Sequence, residues 1–419
     1  MTSPVWHPFT QHGLGEPIPQ MVSASGAWLT GADGARLFDG ISSWWVITHG
    51  HCEPRIAAAI AAQAGTLDQM IFAGYTHPQA EAVARALVEM TPPGLDHVFF
   101  SDSGSTAVEV ALKMALGHWH NRGEARHRIL VLEHSYHGDT IGTMSVGARG
   151  VFNRAYEPLL FAVDTVPYPA PGREQVTLDA LAALCCAPEK PAAFIVEPLV
   201  LGAGGMLLYP AETLRDMREI CAQHDVLFIA DEVMTGWGRT GTLLACEQAD
   251  VVPDILCLAK GLTGGAVPLA ATLASAAIFE SHRSKDRSRM FFHSSSFTAN
   301  PLCCAAANAN IAIWQEEDLP ARVAALGAAL DEGLATLAGH KALSNARRIG
   351  AIAAIDLHVP DAGYLSDVAP TLRALALADG LLLRPLGNTI YLMPPYCATR
   401  PEILGAFATI GNAIETVAR

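Results

Sequence analysis

The 419-residue sequence predicts an α/β protein with a mainly parallel sheet and a second, smaller α+β domain. First, two short apolar runs, 226–230 and 254–259, are bounded by polar or turn residues, as buried parallel strands are. Second, a strand at 193–196, a helix at 211–224 and the strand at 226 form a strand–helix–strand unit. Third, shorter helices and strands alternate from about residue 315 onward, which indicates the smaller domain.

Composition and charge narrow the class of protein. Apolar residues make up 51% of the chain and charged residues 16%, which is typical of a large, well-buried enzyme or an oligomer. A net charge of −14 argues against nucleic acid as a partner. The apolar runs are too short to span a bilayer and the N-terminal residues lack signal character, so we predict a cytoplasmic protein that does not bind membranes.

Cysteine and histidine spacing indicates neither disulfides nor a metal. The nine cysteines are scattered without a CxxC pair, which is typical of reduced thiols in a core. The run His49-Gly-His51-Cys52 superficially suggests metal ligands. Because no second cluster completes a ligand set, we predict no metal and interpret the run as a loop near the active site.

The first hundred residues contain a predicted hairpin and a tryptophan pair. The hairpin is expected at 27–39, with its turn at 31–34. Trp44 and Trp45 cannot both face one core in a strand, so at least one is expected to line a cavity or an interface. The alternative is that both are simply packed. Helices follow between 53 and 90, and a strand is expected at 97–100.

Two further segments are predicted to carry ligand contacts. The Ser-Gly-Ser stretch 103–105 precedes a helix in which Thr106 and Glu109 have capping-box spacing, so the stretch is either an anion site or only a well-capped helix start. A strand at 128–132 leads to Tyr136 and His137, where an aromatic ring could stack on a planar cofactor.

The C-terminal part contains one unusual charge. We expect a strand at 269–274 and a helix at 302–314, then helix 321–337, strand 351–356, helix 368–378 and a hairpin at 381–396 with its turn at 387–388. Arg384 interrupts an otherwise apolar strand of that hairpin and therefore needs an anionic partner. The partner is either a structural carboxylate or the carboxylate of a substrate.

Asp231 and Lys260 are the strongest candidates for chemistry. Each follows one of the two apolar strands, and ligands of open α/β sheets bind at the carboxyl ends of strands, so the two side chains are expected in one cavity. A lysine amine can condense with an aldehyde, and a carboxylate can keep a pyridine nitrogen protonated. Together they are the two main contacts that a protein makes with pyridoxal 5′-phosphate. The alternative is an ordinary ion pair at a sheet edge.

The ordered segments GSTAVEVALKMA, YHGDT, EP, DEVMTGWGRTG, AKGLTGG and SFTANP resemble the class III aminotransferases. The resemblance implies the fold type I of pyridoxal-phosphate-dependent transferases, with a seven-stranded sheet in the large domain. It also implies that residues 1–50 belong to the small domain, 51–314 form the cofactor-binding domain, and 315–419 complete the small domain.

The same resemblance implies roles for individual residues. Lys260 would bond to the cofactor, Asp231 would pair with its ring nitrogen, and Tyr136 would flank the ring and take part in catalysis. Its phosphate would be bound by residues of both subunits of a homodimer with shared active sites, namely Gly104 and Ser105, with Ser295 and Ser296 contributed across the interface.

Three more segments, WHPF (6–9), SSWW (42–45) and 381–396, resemble the branch of this class that aminates 8-amino-7-oxononanoate in biotin biosynthesis, with S-adenosylmethionine as amino donor. Arg384 would then bind the carboxylate of the keto acid. The substrate site implied by this likeness comprises Phe9, Trp44, Tyr136, Asp139, Lys260, Ser294 and Arg384. Phe9 stands where this branch usually has tyrosine, and HSSSF (293–297) stands in place of the commoner HGPTF.

Three other functions are consistent with parts of the pattern. One is a different class III ω-aminotransferase, acting on another amine and another keto acid. Another is an aminomutase that uses the same cofactor and needs no second substrate. A non-enzymatic binding module is disfavoured because Lys260 and Asp231 are both present.

Overall fold

The N-terminal residues form a small antiparallel sheet followed by helices. The computed structural model describes residues 3–360 and 362–417. Strands β1 (Met21–Ser25), β2 (Trp28–Gly31) and β3 (Arg36–Asp39) pair in order, which confirms the predicted hairpin. A single turn, α1, and two helices come next: α1 (Ser42–Trp45), α2 (Pro54–Ala64) and α3 (Pro78–Met90).

A seven-stranded sheet forms the centre of the molecule. Its strands in chain order are β4 (His97–Ser101), β5 (Ile129–Leu132), β6 (Asp164–Val166), β7 (Ala193–Val196), β10 (Leu227–Asp231), β11 (Ile255–Leu258) and β12 (Ala270–Ala274); between them β8 (Val200–Leu201) and β9 (Leu207–Leu208) form a separate pair. The spatial order is β4-β12-β11-β10-β7-β5-β6, and only β12 runs antiparallel to its neighbours. The predicted α/β class with a mainly parallel sheet is confirmed.

Four helices lie between these strands and pack against the sheet, and two more follow its last strand. They are α4 (Gly104–Asn121), α5 (Ile141–Val146), α6 (Glu174–Cys185), α7 (Ala211–Gln223), α8 (Ala276–His282) and α9 (Pro301–Glu316). A capping box does start α4, but Ser103 and Thr106 form it rather than the predicted pair Thr106 and Glu109. Ser103 is the N-cap and exchanges hydrogen bonds with Thr106, whereas the Glu109 carboxylate accepts from Thr140 Oγ1 at 2.6 Å and so joins α4 to α5.

The C-terminal part adds three helices and a second small sheet. The elements are α10 (Leu319–Thr336), β13 (Leu343–Ile349), β14 (Ile352–Leu357), α11 (Val368–Ala378), β15 (Leu381–Leu382), β16 (Thr389–Leu392) and α12 (Arg400–Val417). The predicted hairpin at 381–396 is confirmed only at its turn, where Leu386 and Thr389 pair across residues 387–388. Its strands do not pair with each other, because β15 pairs in parallel with β3 while β16 pairs with β14. Pro385 lies between them and has no N–H to offer to a strand partner, which disfavours continuous pairing.

The pairing of β15 with β3 places the first and last segments of the chain in one sheet. This arrangement supports the interpretation that residues 1–50 and 315–419 form one small domain, although the division at these residues stays a prediction. No helix within residues 3–360 and 362–417 is both long and apolar enough to cross a membrane.

Candidate active site

Asp231 and Lys260 line one cavity of about 370 Å³. Their strands β10 and β11 are parallel neighbours, with Asp231 opposite Cys257. Asp231 is the last residue of β10, and Lys260 begins a short 3-10 turn two residues after β11 ends. The sheet therefore presents an acid and an amine at the same edge, where parallel-stranded proteins bind ligands.

The environment of Lys260 favours a reactive amine. The residue keeps some accessible surface, and its Nζ lies 4.9 Å from the centre of the Trp45 ring. Burial lowers the pKa of Lys260 to about 8, against the opposing effect of the Asp231 and Glu197 carboxylates. A lysine with this pKa is partly neutral near pH 7 to 8, which nucleophilic attack on an aldehyde requires.

A buried histidine orients Asp231. His137 Nδ1 donates to Asp231 Oδ2 at 2.7 Å, and the backbone N–H of Val233 donates to Oδ1 at 3.1 Å. Within the described residues, the other ring nitrogen of His137 is buried without a hydrogen-bond partner. Sequence analysis did not assign His137 a role, although its position beside Tyr136 at a strand's carboxyl end was a usable signal.

Glu197 ties two loops of the cavity together. Its buried carboxylate accepts from the backbone N–H of Tyr136 and from that of Gly202, each at 3.0 Å. Burial raises the pKa of Glu197 to about 7, with Asp231 adding to the rise and His137 opposing it. Glu197 belongs to the segment EP, but the sequence alone assigned it no role in the site. Burial also raises the pKa of Tyr136, to which Asp139 adds as a neighbouring charge and hydrogen-bond partner, so this phenol stays protonated.

The start of α4 lines the other end of the same cavity, through Ser103, Gly104 and Ser105. Two glycines are required here by close packing. A Cβ on Gly104 would come within 2.5 Å of Val233 Cγ1, and one on Gly138 within 2.1 Å of Ser105 Oγ. The N-terminus of an 18-residue helix presents free backbone N–H groups and favours an anion such as phosphate.

A second cavity of about 340 Å³ adjoins the first, sharing Trp45, Tyr136 and Lys260 with it. It brings together most of the predicted substrate residues: Phe9, Trp44, Tyr136, Asp139, Lys260 and Arg384. The Arg384 guanidinium lies 4.7 Å from the centre of the Trp44 ring and donates to the Phe9 carbonyl oxygen at 3.3 Å. Within the described residues it forms no ion pair, so it is available to a ligand carboxylate.

The tryptophan pair is presented by a left-handed turn. Ser42, Ser43, Trp44 and Trp45 have φ of 52°, 45°, 71° and 74°. This conformation costs roughly 1–2 kcal/mol for each residue other than glycine. Trp45 is buried and its Nε1 donates to Tyr391 Oη at 2.9 Å, while Trp44 is 36% exposed and lines only the second cavity. Both tryptophans therefore line a cavity, and neither lies in a strand.

Ser294, Ser295 and Ser296 lie outside both cavities of their own chain. They belong to an exposed loop whose Ser296 carbonyl oxygen accepts from Gln69 Nε2 at 2.5 Å. The structure thus does not bring them to Lys260 of the same chain. Their contribution to a phosphate or substrate site across a subunit interface stays a prediction.

The His49–Cys52 run does not form a metal site in the structure. His49 Nε2 lies 2.8 Å from Asn310 Oδ1, and His51 Nε2 lies 2.8 Å from Asp39 Oδ2. No group of three or more potential metal ligands occurs in the described part of the chain.

The fold and this site define a class of protein, and comparison with known sequences agrees. The chain matches the family Aminotransferase class-III over residues 12–414, so it belongs to the class III aminotransferases. It is an enzyme that depends on pyridoxal 5′-phosphate.

Two individual relatives that share one name are similar to this chain over nearly its whole length. The adenosylmethionine-8-amino-7-oxononanoate aminotransferase of Synechococcus elongatus is 46% identical, and the similarity covers 99% of each chain. The enzyme of the same name from Mycobacterium leprae is 39% identical over 99% of this chain and 94% of its own.

Solved structures give the same result for the fold. The structure of the enzyme of that name from Methanocaldococcus jannaschii has a TM-score of 0.94 at 32% identity, covering 99% of this chain and 97% of its own. An amine transaminase from an uncultivated Pseudomonas species has a TM-score of 0.91 at 33% identity and covers 99% of each chain. The fold type I prediction is therefore confirmed.

The residues of the first cavity fit pyridoxal 5′-phosphate. The amine of Lys260 suits its aldehyde, the Asp231 carboxylate suits its ring nitrogen, and the start of α4 suits its phosphate.

The lowered pKa of Lys260 leads to a pH prediction. For the cofactor-free protein, the rate of reaction with added pyridoxal 5′-phosphate is expected to rise with pH and to level off above about 8, because only the neutral amine attacks the aldehyde. An ordinary lysine would level off only above about 10. Stopped-flow absorbance between pH 6 and pH 10 measures the rate, and continued increase beyond pH 9 would contradict the lowered pKa.

Proposed function

We propose that this aminotransferase converts 8-amino-7-oxononanoate to 7,8-diaminononanoate in biotin biosynthesis, with S-adenosylmethionine as the amino donor. The observation that carries the proposal is the composition of the second cavity. Arg384 lies there beside Trp44 and Phe9, and Lys260 lines the same cavity. A guanidinium among aromatic rings suits a long, largely apolar keto acid that ends in a carboxylate. The names of the relatives from Synechococcus elongatus and Methanocaldococcus jannaschii support this choice of substrates.

The reaction divides into two amino-group transfers. When bound, pyridoxal 5′-phosphate supplies an aldehyde that takes up the donor's nitrogen and a ring that withdraws electrons. Lys260, as a neutral amine, is placed to take a proton at Nζ from the carbon that bears the nitrogen and to return it. In the second transfer the same residue moves protons in the opposite direction.

The other residues of the first cavity bind and orient. The Asp231 carboxylate is available to the cofactor's ring nitrogen, and His137 and the Val233 N–H keep it in one orientation. Tyr136 lines the cavity as a protonated phenol, and its backbone N–H donates to Glu197. Ser103, Gly104 and Ser105 are placed to bind the phosphate.

The residues of the second cavity determine which keto acid is accepted. Arg384 is available to the substrate carboxylate, and Trp44 and Phe9 provide apolar contact along the chain of the substrate. Asp139 is exposed at the rim, where its negative charge suits the amino group of the keto acid or of the donor.

A homodimer is part of the proposal, and exposed apolar side chains support it. Four of them are between 59% and 65% exposed: Ile71, Tyr75, Phe292 and Phe297. They lie in two loops that contact each other, since Asn300 Nδ2 donates to the Asp68 carbonyl oxygen at 3.0 Å. Exposed apolar groups of this size are typical of an interface, and the Ser294–Ser296 segment lies in the same surface. We further propose that the enzyme works in the cytoplasm.

The test of the substrates uses the purified enzyme with bound cofactor. S-adenosylmethionine, lysine and alanine are added one at a time while the absorbance of the cofactor is followed. S-adenosylmethionine is expected to convert the cofactor to its amino form, and 8-amino-7-oxononanoate is expected to reverse the change. If a different donor converts the cofactor and 8-amino-7-oxononanoate reverses the change, the proposed keto acid is correct and the proposed donor is wrong. If 8-amino-7-oxononanoate does not reverse the change, the proposal is contradicted.

Arg384 provides a matched variant for the same experiment. Arg384→Leu is expected to raise the KM for 8-amino-7-oxononanoate roughly 10- to 100-fold, since one charged hydrogen-bond pair is lost. Reaction with 2-aminobutane, a donor without a carboxylate, is expected to change by less than about threefold. Arg287→Leu alters an exposed arginine outside both cavities and serves as the control.

A further inference from the structure

The positions of Trp44 and Trp45 depend on a backbone turn that these residues do not favour by themselves. All four residues of Ser42–Trp45 have φ between 45° and 74°. Trp45 lies 4.9 Å from Lys260 Nζ, and Trp44 lies 4.7 Å from the Arg384 guanidinium. Contacts from elsewhere in the chain must therefore stabilise the turn if both rings are to keep these positions.

One buried carboxylate accepts three hydrogen bonds at the start of this turn. Asp39, the last residue of β3, accepts at Oδ1 from the N–H of Ile41 at 3.3 Å and from the N–H of Ser43 at 2.9 Å. Its Oδ2 accepts from Ser43 Oγ at 2.8 Å. Hydrogen bonds from the turn thus reach both oxygens of a side chain that has no solvent-exposed surface.

His51 completes the environment of Asp39. His51 Nε2 donates to Asp39 Oδ2 at 2.8 Å, and the histidine side chain is 11% exposed. The backbone of His51 is itself paired with Gly26, through hydrogen bonds of 2.7 and 3.2 Å. A buried carboxylate needs a hydrogen-bond donor to offset its loss of hydration. Because the backbone of His51 is held by Gly26 while its ring donates to Asp39, the histidine also restricts the position of the carboxylate.

We propose that Asp39 and His51 are positioning residues for substrate recognition. The pair holds the Ser42–Trp45 turn in its left-handed form, so that Trp44 supports the Arg384 guanidinium and Trp45 packs over the amine of Lys260. The role in binding the keto acid rests on the proposed function, whereas the effect on the turn does not.

The test compares His51→Ala with His51→Gln, whose amide can still donate to Asp39. In His51→Ala, hydrogen–deuterium exchange of the amides of residues 41–47 is expected to be at least about tenfold faster, with exchange in β10 unchanged. The KM for 8-amino-7-oxononanoate is expected to rise about tenfold while kcat changes less than about threefold. His51→Gln is expected to restore both values to within about threefold of wild type.

Two further variants complete the test: one is a control and the other is a substitute for His51→Ala. His340→Ala removes another histidine–carboxylate pair, with Glu415 at 3.3 Å, and is expected to leave both readouts unchanged. Ser43→Ala removes one hydroxyl donor to Asp39 and replaces His51→Ala if that variant does not fold.

Two outcomes would overturn the inference: unchanged exchange at 41–47, or faster exchange with an unchanged KM. If the wild-type enzyme does not accept 8-amino-7-oxononanoate, the proposed function fails. The positioning role is then decided by the same KM comparison with pyruvate, another keto acid with a carboxylate.

Discussion

Replacement of Lys260 by alanine is expected to lower the rate of amino-group transfer by about 10⁴-fold. The substitution removes the amine that is proposed to attach the cofactor and to move the proton, and no other lysine lines either cavity in the described part of the chain. Single-turnover absorbance with saturating donor measures the rate. Borohydride reduction followed by mass spectrometry provides a second readout, because only the wild-type chain is expected to gain the mass of the cofactor.

The matched control for this substitution is Lys285→Ala, which alters an exposed lysine in a surface loop. It is expected to retain wild-type rate and cofactor attachment. Thermal unfolding of both variants checks that the fold is kept. A Lys260→Ala enzyme within about tenfold of the wild-type rate would show that another group moves the proton.

Asp231→Asn is expected to have the second-largest effect, a fall in kcat of roughly 10²- to 10³-fold with little change in stability. Asparagine keeps the size of the side chain and an oxygen for the Val233 N–H, but it removes the negative charge that is proposed to stabilise the protonated ring nitrogen of the cofactor. The kcat and the pH dependence of the bound cofactor's absorbance measure the effect. Both are expected to change together.

Asp254→Asn provides a control at the opposite end of the sheet. Asp254 precedes β11 and accepts from the Phe228 N–H at 2.8 Å and from Arg218 Nη2 at 3.2 Å. Its loss is expected to lower the unfolding temperature while the absorbance of the bound cofactor keeps its pH dependence. An equal loss of kcat in both variants would indicate that Asp231 acts only on stability.

The central sheet could be predicted from the sequence because its signals are local. Strands β7, β10 and β11 are short apolar runs between polar residues, and parallel strands buried on both faces require such runs. The meeting of Asp231 and Lys260 at one edge follows from the same pattern. Pairing of β15 with β3 could not be predicted, since a two-residue strand has no pattern that specifies a partner several hundred residues away.

The parts of the site that were missed depend on contacts between distant residues. His137 and Glu197 lie in the segments YHGDT and EP, but their hydrogen bonds with Asp231 and with the backbone N–H groups of Tyr136 and Gly202 are not specified by those segments alone. The left-handed turn at Ser42–Trp45 is likewise held by Asp39 and by the Met393 carbonyl oxygen, which accepts from Ser42 Oγ at 2.7 Å. A sequence of serines and tryptophans alone favours neither this turn nor its strain.

The contact between Phe9 and Arg384 also bears on how the enzyme is made. These residues are 375 positions apart, and β3 likewise meets β15 only when nearly all of the chain exists. During translation, Asp231 and Lys260 are therefore synthesised well before the cavity that contains Phe9, Trp44 and Arg384 can assemble. A chain cut short before β15 would contain Asp231 and Lys260 without Arg384, so the proposed contact with the substrate carboxylate becomes possible only at the last stage of synthesis.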